Sequence, residues 1–502
     1  MTRGKKPPPP FRRLATGVPQ LDIILQGGIL QGGSYIVAGQ PGSGKTILAN
    51  QICFNHVKAG GKAVYISLLS ESHGRMLGHL AQLSFFDPEV ITRTLHYVSG
   101  YDALRAEKLK GVVSFVRKLI KRHGATLLVF DGMTRLGSFA SNTVEFKQFV
   151  HELNVLLEFT GCTALLLTDS SAEMDLGYPA KTMVDGLIEL RDRLEGLRSV
   201  REMMVTKFRG SAFLRGAHFF DIDFDGLHFY PRVEARLATP SQEPAASKER
   251  LSLGISGLDR MTGGGLAEGT SGLVLGSSGT GKTLLGLHFL ASGLASKEPS
   301  LYFGFFESPA RLRKKGDDLG LKLSGHARTG LFEIVWQPAG ELILDALAER
   351  LLDLVAEKKI KRLVIDGLAG FVEAPSAPER LTYFFKALTN ELRALGVTTL
   401  LTVEMRELFG PDVKVPLLGL ATVAENIVFL RQVEIASELR RAVAVMKTRE
   451  NAHDDKVREL TITDAGLVVG DPFETEKEVL RGGASGTTGP ASPRGKRGKG
   501  EP

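Results

Sequence analysis

Short apolar runs alternate with longer amphipathic stretches along the first 170 residues, and the same rhythm returns after residue 270. SYIVAG (34–39), AVYISLL (63–69), TLLVFDG (126–132) and ALLLTD (164–169) lack the polar alternation of a half-exposed strand. Runs of this kind, separated by helix-length segments such as 46–57 and 144–160, predict strands buried on both faces and joined by helical crossovers. After Ala180 the pattern changes, and GLIELR, REMMVTKFR, AHFFDID and LHFY follow one another. Strand after strand predicts an antiparallel extension of a parallel sheet. NIVFLRQVEI, RRAVAVMKTR and VRELTITDAGLVVG repeat that extension near the end of the chain. The predicted fold class is therefore α/β, with two mostly parallel sheets flanked by helices.

The two halves are one sequence written twice. LATGVPQLDIILQGGILQGGSYIVAGQPGSGKTILA, from Leu14, matches LSLGISGLDRMTGGGLAEGTSGLVLGSSGTGKTLLG, from Leu251, so that Gly17, Asp22 and Lys45 pair with Gly254, Asp259 and Lys282. Further on, the strand ending Asp131-Gly132 pairs with the one ending Asp366-Gly367, and TKFRG at 206–210 pairs with MKTRE at 446–450. A near-constant spacing over this length marks a duplicated domain, not a short-period solenoid. The expected organisation is a basic N-terminal tail (1–13), a first domain (14–233), a linker rich in Ala, Pro and Ser (234–250), a second domain (251–473) and a basic tail (474–502).

Composition narrows the function classes. The net charge of +7 lies in the tails: five basic residues at 1–13, and five against Glu501 at 481–502, leave the body slightly acidic. That argues against a folded face for nucleic acid. No apolar run reaches the ~18–20 residues of a membrane span, and the N-terminus lacks the apolar stretch of a secretory signal. A cytoplasmic protein is expected, and the two cysteines, Cys53 and Cys162, read as core residues.

Gly39-Gln40-Pro41-Gly42-Ser43-Gly44-Lys45-Thr46 and Gly276-Ser277-Ser278-Gly279-Thr280-Gly281-Lys282-Thr283 both fit GxxxxGK[ST], each after a buried strand and opening a helix. Such a loop turns successive N–H groups toward phosphates, with Lys45 and Lys282 reaching the β- and γ-phosphates. Thr46 and Thr283 are expected to ligate Mg²⁺ together with Asp131 and Asp366, which end buried strands. Both domains therefore read as tandem P-loop NTPases that bind Mg·ATP. Glu307, after the strand that follows the first helix, is the candidate base for the attacking water, and Glu71 sits one residue later in its own copy.

These motifs together resemble the KaiC family, ATPases with two fused RecA-like domains that assemble into rings. The resemblance runs from Leu14 to about Phe473 and is carried by the TGVPQLD and LGISGLD openings, the P-loops, FFES and MKTRENAHDDKVREL; the VEI at 433–435 matches the second domain of clock-type members. It implies a homo-oligomer, a hexamer with ATP held between subunits, read by an unidentified signalling partner. It also implies that Lys207/Arg209 and Lys447/Arg449 reach a neighbour's γ-phosphate.

The chain departs from the family in two places. Phe306-Glu307 and Leu69-Ser70-Glu71 stand where the family carries adjacent glutamates, so one carboxylate is gone from each domain. Where clock-type members phosphorylate themselves on adjacent Ser and Thr, this chain has Ala421 and Thr422, leaving Thr422 as the phosphoacceptor of a serine/threonine autokinase. Two other readings are a nucleotide-loaded scaffold with little turnover and a DNA-dependent ATPase. The second needs a cluster of basic or aromatic residues in pore-facing loops, and neither 131–142 nor 366–379 carries such a cluster.

Overall fold

The parity of the buried strands explains the architecture. In Ser34–Gly39 (β1), Tyr35 and Val37 join one apolar cluster while Ile36 and Ala38 join another. Successive side chains point to opposite faces, so a strand without polar alternation must be covered on both. The computed structural model describes residues 12–68, 73–169, 181–242, 247, 249–338, 340, 342–374, 379–405, 423–435, 438–449 and 452–473. They fall into two compact units, one of residues up to 240 with 342–350 and 374, the other of the rest.

In the first unit β1 is followed by α1 (Lys45–Lys58), β2 (Ala63–Ser67), β3 (Leu95–Ser99), α2 (Tyr101–His123), β4 (Leu127–Asp131), α3 (Thr143–Thr160) and β5 (Thr163–Asp169). The antiparallel extension comprises β6 (Gly186–Glu195), β7 (Arg198–Phe208), β8 (Ala217–Asp223) and β9 (Gly226–Tyr230). The sheet order is β9-β8-β7-β6-β1-β5-β4-β2-β3. Pairs from β6 to β3 are parallel, and those from β6 to β9 antiparallel. Leu48, Ile52 and Phe54 of α1 fill one face; Val112 and Val116 of α2 and Phe146, Phe149 and Leu153 of α3 fill the other.

The second unit repeats the plan. It contains β10 (Ser271–Gly276), α4 (Lys282–Ala295), β11 (Ser300–Gly304), α5 (Pro309–Asp318), β12 (Phe332–Trp336), the part of α6 (Leu344–Lys358) from Leu351 on, β13 (Arg362–Asp366), α7 (Arg380–Ala394) and β14 (Thr398–Glu404). Its extension is β15 (Asn426–Ile435), β16 (Glu438–Lys447), β17 (Arg458–Thr463) and β18 (Gly466–Pro472), giving the order β12-β11-β13-β14-β10-β15-β16-β17-β18. Leu285, Phe289 and Leu290 of α4 pack on Val274, Tyr302 and Val364. Phe371, Phe384 and Phe385 are fully buried and meet with ring centroids 5.2–6.0 Å apart. Each such side chain contributes roughly 1.5–3 kcal/mol of burial.

Two segments expected to be loose are partly built in. Arg13, placed in the N-terminal tail from sequence, pairs with Leu30 and donates to the Leu25 and Gly28 carbonyls and to Ser211. In the expected linker, Val233–Arg236 forms a helical turn, and Ser241 and Gln242 bond to Glu391 and the Ala394 carbonyl at the end of α7. The polar composition hid these partners, because they are backbone and charged groups rather than apolar ones.

In both units the terminal hairpin is pinned to the helix that follows the P-loop. Gln51 Oε1 accepts from the Leu227 N–H at 2.9 Å, and at the matching position His288 Nε2 accepts from the Leu467 N–H at 3.1 Å. Burial holds the His288 pKa below its ordinary 6.5. Its neutral form is the acceptor, so the stabilisation is complete above the unfolded pKa and is lost as pH falls through the lower folded one. The hydrogen-exchange protection of the Leu467 amide is expected to drop below about pH 6.5. His288→Gln should flatten that dependence, since an amide oxygen accepts without titrating. A pH dependence that survives the substitution would assign it to another group.

Candidate nucleotide-binding sites

The chain turns sharply between β1 and α1 through Gln40–Gly44, and between β10 and α4 through Ser277–Gly281. Gly44 and Gly281, immediately before the helices, have φ of 95° and 104°. That left-handed geometry is strained for any residue with a Cβ, and at Gly44 a Cβ would also lie 2.8 Å from Ile222 Cδ1. Neither helix has a side-chain cap. The first-turn N–H groups therefore remain for an external acceptor, with the positive end of the helix dipole behind them.

The lysines lie across the mouths of the loops. Lys45 Nζ donates to the Gly39 and Gln40 carbonyls at 2.8 and 2.9 Å and pairs with Asp169 at 3.2 Å. Lys282 Nζ donates to the Gly276 and Ser277 carbonyls at 2.9 and 2.7 Å. Burial lowers the Lys282 pKa, and Glu404 and Asp366 oppose that shift. Uncapped donors, an ammonium at the loop mouth and the open side at Gly42, where a Cβ would meet nothing within 4 Å, fit a polyphosphate.

Asp366, ending β13, gathers hydroxyls. One carboxylate oxygen accepts from Thr283 Oγ1 at 2.7 Å and from the Tyr302 phenol, and the other accepts from Thr402. In the first unit Tyr65 donates to buried Asp131 at 2.6 Å, and Thr46 also hydrogen-bonds it. Burial raises the Asp131 pKa, while Tyr65, Lys45 and Thr46 pull it down. Each loop threonine is thus brought to its strand-end aspartate. An all-oxygen set of this kind suits a hard divalent cation that keeps several waters.

Glu307 lies in the second-unit cleft, a cavity of about 790 Å³ that Lys282, Thr283 and Asp366 also line. Both of its oxygens are engaged by Lys315 of α5, at 2.6 and 2.7 Å. Phe306 beside it is 59% exposed and lines the same cleft, so an apolar ring stands next to this carboxylate. Glu71 and Thr422 lie outside the described residues.

The Lys-x-Arg pairs sit at the opposite end of their sheets. Lys207 is level with Leu187, and Leu187 with Ile36, three residues before Gly39. Lys447 is likewise level with Ile427 and Leu273, three residues before Gly276. Three residues and two strands separate each lysine from its own P-loop, about 10 Å along the strands and about 10 Å across them. The side chains turn farther away: Lys207 Nζ donates to the Thr182 carbonyl at 2.7 Å, Arg209 to the same carbonyl at 3.0 Å, and Lys447 Nζ to the Ala424 carbonyl at 2.8 Å. Arg449 is exposed and lies 3.8 Å from Glu425.

Sequence reasoning did not single out Tyr65, Tyr302, Thr402, Lys315, Asp169 or Glu404. Asp169 and Glu404 end the neighbouring strands opposite Gly39 and Gly276. The tyrosines recur at the repeat spacing, which was the available signal, but an aromatic within a buried strand reads first as core.

Two sheets of this order, each with a P-loop feeding its central strand's helix, define a tandem RecA-like P-loop NTPase. A family model described as the KaiC ATPase matches residues 14–234 and again 251–474. The chain belongs to the KaiC family of ATPases. It is 25% identical over 481 residues to the circadian clock oscillator protein KaiC of Rippkaea orientalis, covering 94% of this chain and 91% of that protein. It is also 25% identical over 481 residues to the protein of the same name from Prochlorococcus marinus, covering 94% and 95%. Circadian clock protein KaiC3 of Synechocystis sp. is 26% identical over 489 residues, covering 94% of each chain. Among the described residues no helix is long and apolar enough to cross a membrane.

Proposed function

We propose that the chain binds Mg·ATP at both P-loops and hydrolyses it at the second, as a ring of identical subunits whose conformation is read by a signalling partner. In this reading Thr46 with Asp131 and Thr283 with Asp366 would hold Mg²⁺, which shields the phosphate charge. Lys45 and Lys282 bind the β- and γ-phosphates, and Glu307 takes the proton of the attacking water. The observation that carries it is the gathering of Lys282, Thr283, Asp366 and Glu307 around one cleft. The distance of Lys207 and Lys447 from their own P-loops supports assembly, because cations so placed are out of reach of their own subunit's phosphates.

Single-turnover hydrolysis in a Lys45→Ala background tests the proposal. Glu307→Gln should slow the second site by about 10²- to 10⁴-fold, the range of a lost general base. The scaffold reading, which the Glu307–Lys315 ion pair favours, expects no change. Mass spectrometry of the peptide carrying Thr422, from the same incubation, separates transfer to water from transfer to this hydroxyl.

A further inference from the structure

A single ammonium occupies both oxygens of Glu307. The backbone that carries Lys315 is fixed: Leu312 and Gly316 are buried, and a Cβ at Gly316 would lie 2.2 Å from Leu323 Cδ1. The pair itself stays within reach of solvent, with side chains 38% and 29% exposed, in the cleft that also holds the P-loop lysine. A carboxylate clasped on both oxygens is a poor acceptor for a water proton. A terminal phosphate carries more charge than one carboxylate and competes for the same ammonium. A diphosphate ends one group short.

We propose that Lys315 is a latch on Glu307 released by the γ-phosphate of ATP. The terminal phosphate draws the ammonium away and leaves the carboxylate free to accept a proton from water; with ADP in the cleft the ion pair re-forms. Lys315 both contacts the γ-phosphate and governs Glu307 in this scheme, and its stem moves while α5 stays in place. Arg311, one turn earlier and lining the same cleft, adds positive charge on the same helical face. The inference deepens the reading of Glu307 as the base and rests on it.

Binding of Mg·ADP and of the non-hydrolysable Mg·AMP-PNP to the full chain, in a Lys45→Ala background, tests the latch. Lys315→Met should weaken AMP-PNP by about tenfold or more and leave ADP within about threefold, the loss of one charge-assisted hydrogen bond. Lys315→Arg should keep the preference for AMP-PNP, which controls for folding. Glu307→Gln should tighten AMP-PNP by freeing the ammonium, and that gain should vanish when Lys315→Met is also present. An AMP-PNP-to-ADP affinity ratio unchanged by Lys315→Met, or a Glu307→Gln gain that persists without Lys315, would overturn it. If Glu307→Gln leaves single-turnover hydrolysis untouched, the base assignment fails separately, and the affinity cycle still reports whether the latch exists.

Discussion

Replacing Lys447 and Arg449 together by alanine is expected to lower hydrolysis at the second site by about 10³-fold or more, while the affinity for Mg·ATP changes only a few-fold. The magnitude is that of a cation delivered in trans to a phosphoryl transition state. The asymmetry between turnover and binding follows from position. Lys447 is level with Leu273 rather than with the P-loop end of β10, and its ammonium rests on the Ala424 carbonyl. Neither Lys447 nor Arg449 is among the residues that line the cleft of its own subunit. Mixing separates this account from a local structural defect. Subunits carrying Lys447→Ala/Arg449→Ala keep an intact P-loop, and subunits carrying Lys282→Ala keep intact cations. Co-assembled in equal amounts, they should recover activity at roughly a quarter of the interfaces, those where an intact loop faces intact cations in a head-to-tail ring. Mixtures as inactive as either parent would place the role of these residues within one subunit.

The duplicated sheets were legible because their strands are buried on both faces and so carry uninterrupted apolar runs; SYIVAG coincides with β1 and NIVFLRQVEI with β15. The extension was legible as strand after strand, although VRELTITDAGLVVG divides into β17 and β18 at a turn closed by the Thr463–Gly466 pair. The P-loops were legible because only glycines tolerate the backbone they require.

The second tier of each site was not. Thr402 reads as one more strand residue, yet its hydroxyl binds Asp366. Lys315 reads as part of a solvated run in RLRKKGDD, and only the return of α5 to the cleft brings it to Glu307. The pinning of the terminal hairpin depends on Gln51 and His288, two residues with different chemistry that share one geometric task. Pairing across the sheet and through a helix turn depends on tertiary placement, which a linear pattern does not encode.

The central claim is that two glycine-lined backbone cradles, each closed by its lysine, grip the triphosphate. Loss of both lysines removes the cation that, at each site, lies across the loop mouth on carbonyls 2.7–2.9 Å away. With them go charge-assisted bonds of about 1.5–3 kcal/mol apiece, and more where the site is shielded from water. Titration of the Lys45→Ala/Lys282→Ala chain with Mg·ATP by calorimetry is the direct measurement. Affinity is predicted to fall by about 10²-fold or more at both sites relative to the unsubstituted chain. Undiminished affinity for Mg·ATP in a folded double variant would contradict the account.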